Sequence, residues 1–116
     1  MSAETEFRAV LAGYAGLTAL VSTRIAQNSI EQGAALPYVV FSSQQQPTHG
    51  LNNTLLATQV TFATECWADT AAAADAVADQ VLAALAAQGV VHTARVSGFD
   101  PELGLDATVL TVEWWD

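Results

Sequence analysis

Residues 57–88 read ATQVTFATECWADTAAAADAVADQVLAALAAQ, and a change of period inside this stretch decides the fold. Up to Ala68 the period is two. Val60, Phe62, Thr64 and Cys66 fall on one face of a strand, and Thr61, Ala63, Glu65 and Trp67 on the other. From Asp69 the period is 3.6. Val77, Val81 and Leu85 line one stripe with Ala74, Ala78 and Leu82 beside it, while Asp75 and Asp79 lie on the opposite, solvated side. Alanine, the best helix former, dominates this run. Asp69 or Thr70 is placed to cap its start, and Gly89 to end it in the left-handed conformation. A helix with so small a face can lie close on a sheet.

The flanks extend the pattern. YVVFSSQQQ (38–46) is a strand rich in β-branched and aromatic residues, and Leu36, preceding a proline, should be extended. PTHGLNNTLL (47–56) carries Pro, Gly and paired Asn and reads as a loop too long for a tight hairpin turn. AETEFRAVLAG (3–13) predicts an amphipathic helix with Phe7, Val10 and Leu11 inward. Glu4 and Glu6 occupy its first turn, where the macrodipole favours negative charge, and Gly13 and Gly16 end or interrupt it. A second short turn, LTALV (17–21), precedes an extended RIAQNSI (24–30). Downstream, VVHTARVSGF (90–99) is a strand and FDPELGLD (99–106) a connection. ATVLTVEWW (107–115) is a strand with Leu110, Val112 and Trp114 on one face and Val109, Thr111, Glu113 and Trp115 on the other. The sum is one α+β domain over residues 1–116. Its mainly antiparallel sheet has four to five strands, with the long Ala-rich helix packed on one face and a shorter N-terminal helix.

Charge removes several function classes. Twelve acids stand against three arginines and no lysine, a net −9, so the chain cannot neutralise a run of phosphates or adsorb to an anionic membrane. No run of 18 apolar residues suggests a membrane span, and the acidic N-terminus does not look like a signal peptide; the expectation is a cytosolic chain. Only 13 % of residues are charged while 52 % are hydrophobic, which leaves too little polar surface to cover a small domain and favours an oligomer.

Nothing in the motifs points to chemistry. A Cys66 nucleophile would need a base, and no spacing pairs it with His49 or His92; a buried, unreactive cysteine fits better. Glu65 with Asp69 could be drawn as an acid–base pair, but Asp69 is already explained by the helix start. Asp75 and Asp79 have the spacing of a two-carboxylate metal site, yet no histidine joins them, and solvated surface acids fit better. There is no phosphate-cradling Gly-rich loop, CxxC, HExxH or GxSxG. No catalytic, cofactor-binding or metal residues, and no cofactor, are expected. Trp67, Trp114 and Trp115 are best read as core and subunit-interface residues, with the adjacent Trp114 and Trp115 on opposite faces of their strand. Arg8, Arg24 and Arg95 are scarce enough that each is expected to pair with an acid, one of them across a subunit boundary. The interface expectation falls on Trp67, Trp115 and Arg95.

One further pattern spans residues 4–116. LPYVVF (36–41), CWADT (66–70) running into the Ala-rich helix, and DPELGL (100–105) before a strand ending in VEWW together resemble the phage tail completion, or tail terminator, family common in prophages. The resemblance implies a non-enzymatic virion protein, assembled in the host cytoplasm and placed at the head-proximal end of the tail. It further implies a ring, commonly a hexamer, that caps the tail tube, stops its polymerisation and offers the head connector a surface. DNA would pass through without being bound, as an acidic lumen favours. On this reading the segment Pro47, Thr48, His49, Gly50, Leu51, Asn52, Asn53 and Thr54 is either a plain surface loop or an arm that orders against tube or connector. Two rival readings are a small-ligand-binding or enzymatic α+β dimer with a Trp-lined pocket, and a generic adaptor.

Overall fold

The alternation in residues 57–68 places one face of a strand against helices, and the computed structural model shows that arrangement. It describes residues 3–30, 33–49 and 55–115. In chain order the elements are α1 (Ala3–Ala12), α2 (Ala15–Val21), β1 (Ile25–Gln27), β2 (Tyr38–His49), β3 (Leu55–Ala68), α3 (Ala71–Ala86), β4 (His92–Asp100) and β5 (Leu105–Trp115). The five strands form one sheet in the order β1-β2-β3-β5-β4. Every pairing is antiparallel except β1 with β2, so the expected α+β fold is found, with a short parallel strand at one edge.

The inward residues are those the period selected. Val60, Phe62 and Cys66 of β3, Leu110 and Val112 of β5, and Val39 and Phe41 of β2 are buried. They meet Phe7 and Leu11 of α1, Leu17 and Val21 of α2, and Val77, Ala78, Val81 and Leu85 of α3. Each of the Val, Leu and Phe side chains among them contributes roughly 1.5–3 kcal/mol on burial. At the centre the Phe7 ring stacks on Phe62 at 4.0 Å, with Phe41 at 5.2 Å and the edge of Trp114 at 5.9 Å. Trp114 is therefore the inward member of the tryptophan pair. Thr64 shares this face, and its hydroxyl is buried with no hydrogen-bond partner among the described residues, a cost of about 1–3 kcal/mol.

Local signals set the ends of the helices. The Thr70 hydroxyl accepts a hydrogen bond from the Ala73 N–H at 3.1 Å and caps α3. Gly89, at φ +74°, turns the chain away after α3 as expected. Gly16 sits in the first turn of α2, where a Cβ would meet the Gln80 amide and the Tyr14 ring, so a larger residue there would have to displace both side chains.

Three boundaries differ from expectation. The segment 47–56 is not a loop throughout: β2 runs to His49 and β3 starts at Leu55, with Pro47 opposite Thr58, Thr48 opposite Ala57 and His49 opposite Leu55. A proline is tolerated there because β1 pairs with β2 only at Val39 to Phe41, so among the described residues no second strand needs the N–H that Pro47 lacks. Gly50 to Thr54 lie outside the described residues. The connection placed at 99–106 shrinks to a turn between Asp100 and Leu105, because the Asp100 carboxylate accepts from the Glu102 and Leu103 N–H groups and closes it. The strand placed at 90–99 begins only at His92.

Candidate assembly surface

With α1, α2 and α3 on one face, the other face of the sheet carries the outward residues of each strand. Near the β4–β5 turn these form an open groove of about 460 Å³ lined by Glu65, Trp67, Val96, Phe99, Ala107 and Val109. Asp100, Pro101 and Glu102 make its rim. Val96 and Phe99 are 63 % and 60 % exposed, unusual for large apolar side chains in a domain that has a core to put them in. Trp67 stands opposite Ala107 on this outer face, whereas Trp114 is packed in the core, so these two tryptophans do not line one pocket. The backbone of Trp115 pairs with Gln59; its side chain lies outside the described residues.

Arg95 projects from β4 to the helix side and is held within the chain. It donates to Asp79 at 2.8 Å and to Asp75 at 3.4 Å, and the Thr108 hydroxyl donates to the same Asp75 oxygen at 2.8 Å. Asp75 and Asp79, read from the sequence as solvated acids, thus tie α3 to β4 and β5 while remaining half exposed or more. The Thr108 hydrogen bond, then Arg95, holds the Asp75 carboxyl below its usual range, and Asp79 raises the Arg95 guanidinium. The bonds described for Arg8 and Arg24 run instead to main-chain carbonyls, of Ile25 for Arg8 and of Pro37 and Leu20 for Arg24. Among the described residues only Arg95 forms ion pairs, so the expectation of an acid for every arginine holds for one of the three.

The residues weighed as candidates for chemistry do not converge. Cys66 is fully buried on the core face, and desolvation pushes its thiol up to about 12, which leaves it protonated and unavailable as a nucleophile. Glu65 points to the opposite face from Cys66. Among the described residues no three of His, Cys, Asp or Glu come together as a metal site, and no helix is long and apolar enough to cross a membrane. Glu4 of α1 accepts from Ser43 of β2 at 2.8 Å, a contact that lowers its carboxyl pKa and seats α1 over the sheet.

Beyond Gln59, the last β3 residue paired with β5, the β2–β3 hairpin continues alone. Among the described residues it forms a two-stranded arm of residues 47–49 and 55–58 with no third strand paired to it. The fourteen residues of β3 span about 46 Å at strand rise, matching the 50 Å long dimension of the molecule. The sequence places a strand from Ala57 and a loop or docking arm at 47–54, but not the pairing of Pro47, Thr48 and His49 with Thr58, Ala57 and Leu55. The signal for it in the sequence is weak: alternation continues through 57–60, but Pro47 and the paired asparagines mask it.

A sheet with one helix-covered face, a two-stranded arm and an apolar open groove leaves surface of the kind that structural components bury on assembly. The chain belongs to the tail completion protein gp17 family, whose model matches residues 5–115, and it is a structural protein of the virion tail. Its fold is similar to that of a chain in the virion of a native gene transfer agent particle, with a TM-score of 0.77 and 19 % identity over 92 % of this chain and 88 % of that one. No curated protein matches the chain.

Proposed function

We propose that copies of this chain close a ring, hexameric as is common in the family it resembles, on the head-proximal end of the tail tube. The ring stops tube growth and presents the joining surface to the head connector, and DNA passes through it without specific contact. The observation that carries this reading is the arm. Two strands alone are marginally stable in water and need a third strand or a packing surface, so an arm of this kind is completed by contact with another molecule. Residues 46–58 contain no Asp, Glu, Lys or Arg in a chain of net −9, so its acid is kept off this contact. The tip, Pro47 to Thr54, is the docking element toward tube or connector. Trp67 on the outer sheet face and Trp115 at the root of the arm are the apolar subunit contacts, and Arg95 braces the strand that faces the neighbour. The chain acts as structure and not as an enzyme.

Deleting residues 48–55 tests the arm. The variant should stay folded, with a thermal midpoint close to that of the intact chain, while tails no longer join heads. Joined, infectious particles from the deletion would overturn the docking role. Capping is tested by adding the intact chain to polymerising tube protein: tube length should be limited, and an unchanged length distribution would overturn it.

A further inference from the structure

The sheet has two open edges. On one side β4, nine residues long, is exposed from His92 to Phe99 and pairs only with β5. On the other, β1 covers β2 at Val39, Val40 and Phe41 and no further, so among the described residues Ser42 to His49 pair with β3 on one side and with no strand on the other. Natural sheets guard such edges with charge, but here neither edge presents a free one. Ser42–His49 contains no Asp, Glu, Lys or Arg. In β4 the Arg95 charge is turned onto Asp75 and Asp79, and Asp100 is tied into its turn. In a chain that carries twelve acids, neither edge strand holds an unpaired charge of its own; the Glu4 carboxylate of α1 reaches the β2 edge on its helix side, where it accepts from Ser43 and Gln45.

Resting on the ring reading above, we infer that neighbouring copies join edge to edge: β4 of one copy adds to Ser42–His49 of β2 in the next. Two different edges on opposite sides of one sheet make a heterologous contact, the kind that propagates around an axis and closes. The polarity follows from the sheet. β2, β3, β5 and β4 alternate in direction, so a neighbour carrying its β2 in the same sense meets β4 antiparallel. The offset is also determined. Val96 lies level with Val109, Glu65 and Val40, so reaching the middle of Ser42–His49 takes a shift of about 19 Å along the strands, at about 3.4 Å per residue. The step across the sheet, four strand spacings of about 4.8 Å, is also about 19 Å. Strands would then tilt about 45° to the ring axis, at the upper end of the range of closed sheets. The added β4 gives the two-stranded arm its third strand. Pro47 lacks an N–H and costs this ladder one hydrogen bond.

Paired cysteines on outward positions test the contact. Val96→Cys is combined in one chain with Ser42→Cys, Gln44→Cys, Gln46→Cys or Thr48→Cys in turn, and the four combinations are repeated with Ala94→Cys. Rings assembled on tail tubes are treated with a short bis-maleimide; the intact chain, whose Cys66 is buried, is the control. The expected result is a covalent ladder reaching the full ring for the matched pair, absent from single-cysteine chains. The best β2 partner should move two residues forward when the β4 cysteine moves from 96 back to 94, the antiparallel sense. Rings that form with no ladder in any of the eight combinations, or whose partner moves the other way, would overturn edge pairing and leave the ring standing. Only monomers on the tube by mass measurement would overturn both.

Discussion

Removing the Phe7 ring should cost the domain a large share of its stability, because this one side chain joins α1 to three other aromatic rings. Phe7 is fully buried and touches Phe62, Phe41 and Trp114. A buried Phe→Ala change costs about 3–5 kcal/mol in transfer and cavity terms. Aromatic pairing adds about 0.5–1.5 kcal/mol per pair beyond area, so Phe7→Ala belongs at the upper end of that range. A domain of this size has about 5–15 kcal/mol in total. At roughly 4 °C per kcal/mol, the thermal midpoint should fall by about 12–20 °C. Urea unfolding followed by tryptophan fluorescence reads the loss directly, since Trp114 touches the deleted ring. Phe99→Ala is the control: the ring is 60 % exposed, and its loss should stay within about 0.5 kcal/mol. A Phe7→Ala loss below about 1 kcal/mol at unchanged m-value, or a Phe99→Ala loss as large as that of Phe7→Ala, would refute the reasoning that α1 is held by this cluster.

Three further outcomes follow from the same contacts. Thr70→Ala removes the cap of α3 and should destabilise by about 1 kcal/mol in chemical denaturation, with Thr70→Ser recovering most of it. The Cys66 thiol titrates near 9 when unfolded and about 12 when folded; the unfolded chain therefore loses its proton first, and stability conferred below pH 9 is lost as pH rises towards 12. Denaturation between those values should show a shallower alkaline decline for Cys66→Ala than for the intact chain, and the native thiol should resist a disulfide reagent at pH 8. Asp75 has the opposite sign: its folded pKa lies below 3.8, so its contribution is present above that value and lost as pH falls through the folded one. Asp75→Asn should lose less stability than the intact chain when thermal unfolding is compared between pH 7 and pH 3.

Much of the fold was legible because its periods are clean. The switch at Asp69 gave β3, α3 and the identity of the core face, and the interior Phe62, Val77, Val81, Leu110 and Val112 follow from spacing alone. Three features were not, each for a physical reason. β1 has only Ile25 to Gln27 and is defined by pairing with β2, not by its own pattern. The arm breaks the rule that Pro marks a loop, because an edge position excuses Pro47. The ties from Arg95 to Asp75 and Asp79 join residues 16 and 20 apart, and depend on how β4 returns beside α3. Arg95 has its charge met inside the chain and Trp67 stands on the open sheet face, while their place at a subunit interface stays a proposal.

The strand order has a consequence for synthesis. β4 leaves the ribosome before β5, yet β5 is the only strand it pairs with, and β5 inserts between β3 and β4. Until Leu105–Trp115 has emerged, Val96 and Phe99 have no ladder to join, and the β3 edge destined for β5 stays open. Both strands therefore stay without their partner until β5 follows, an open-edge interval of the kind in which misassembly competes with folding.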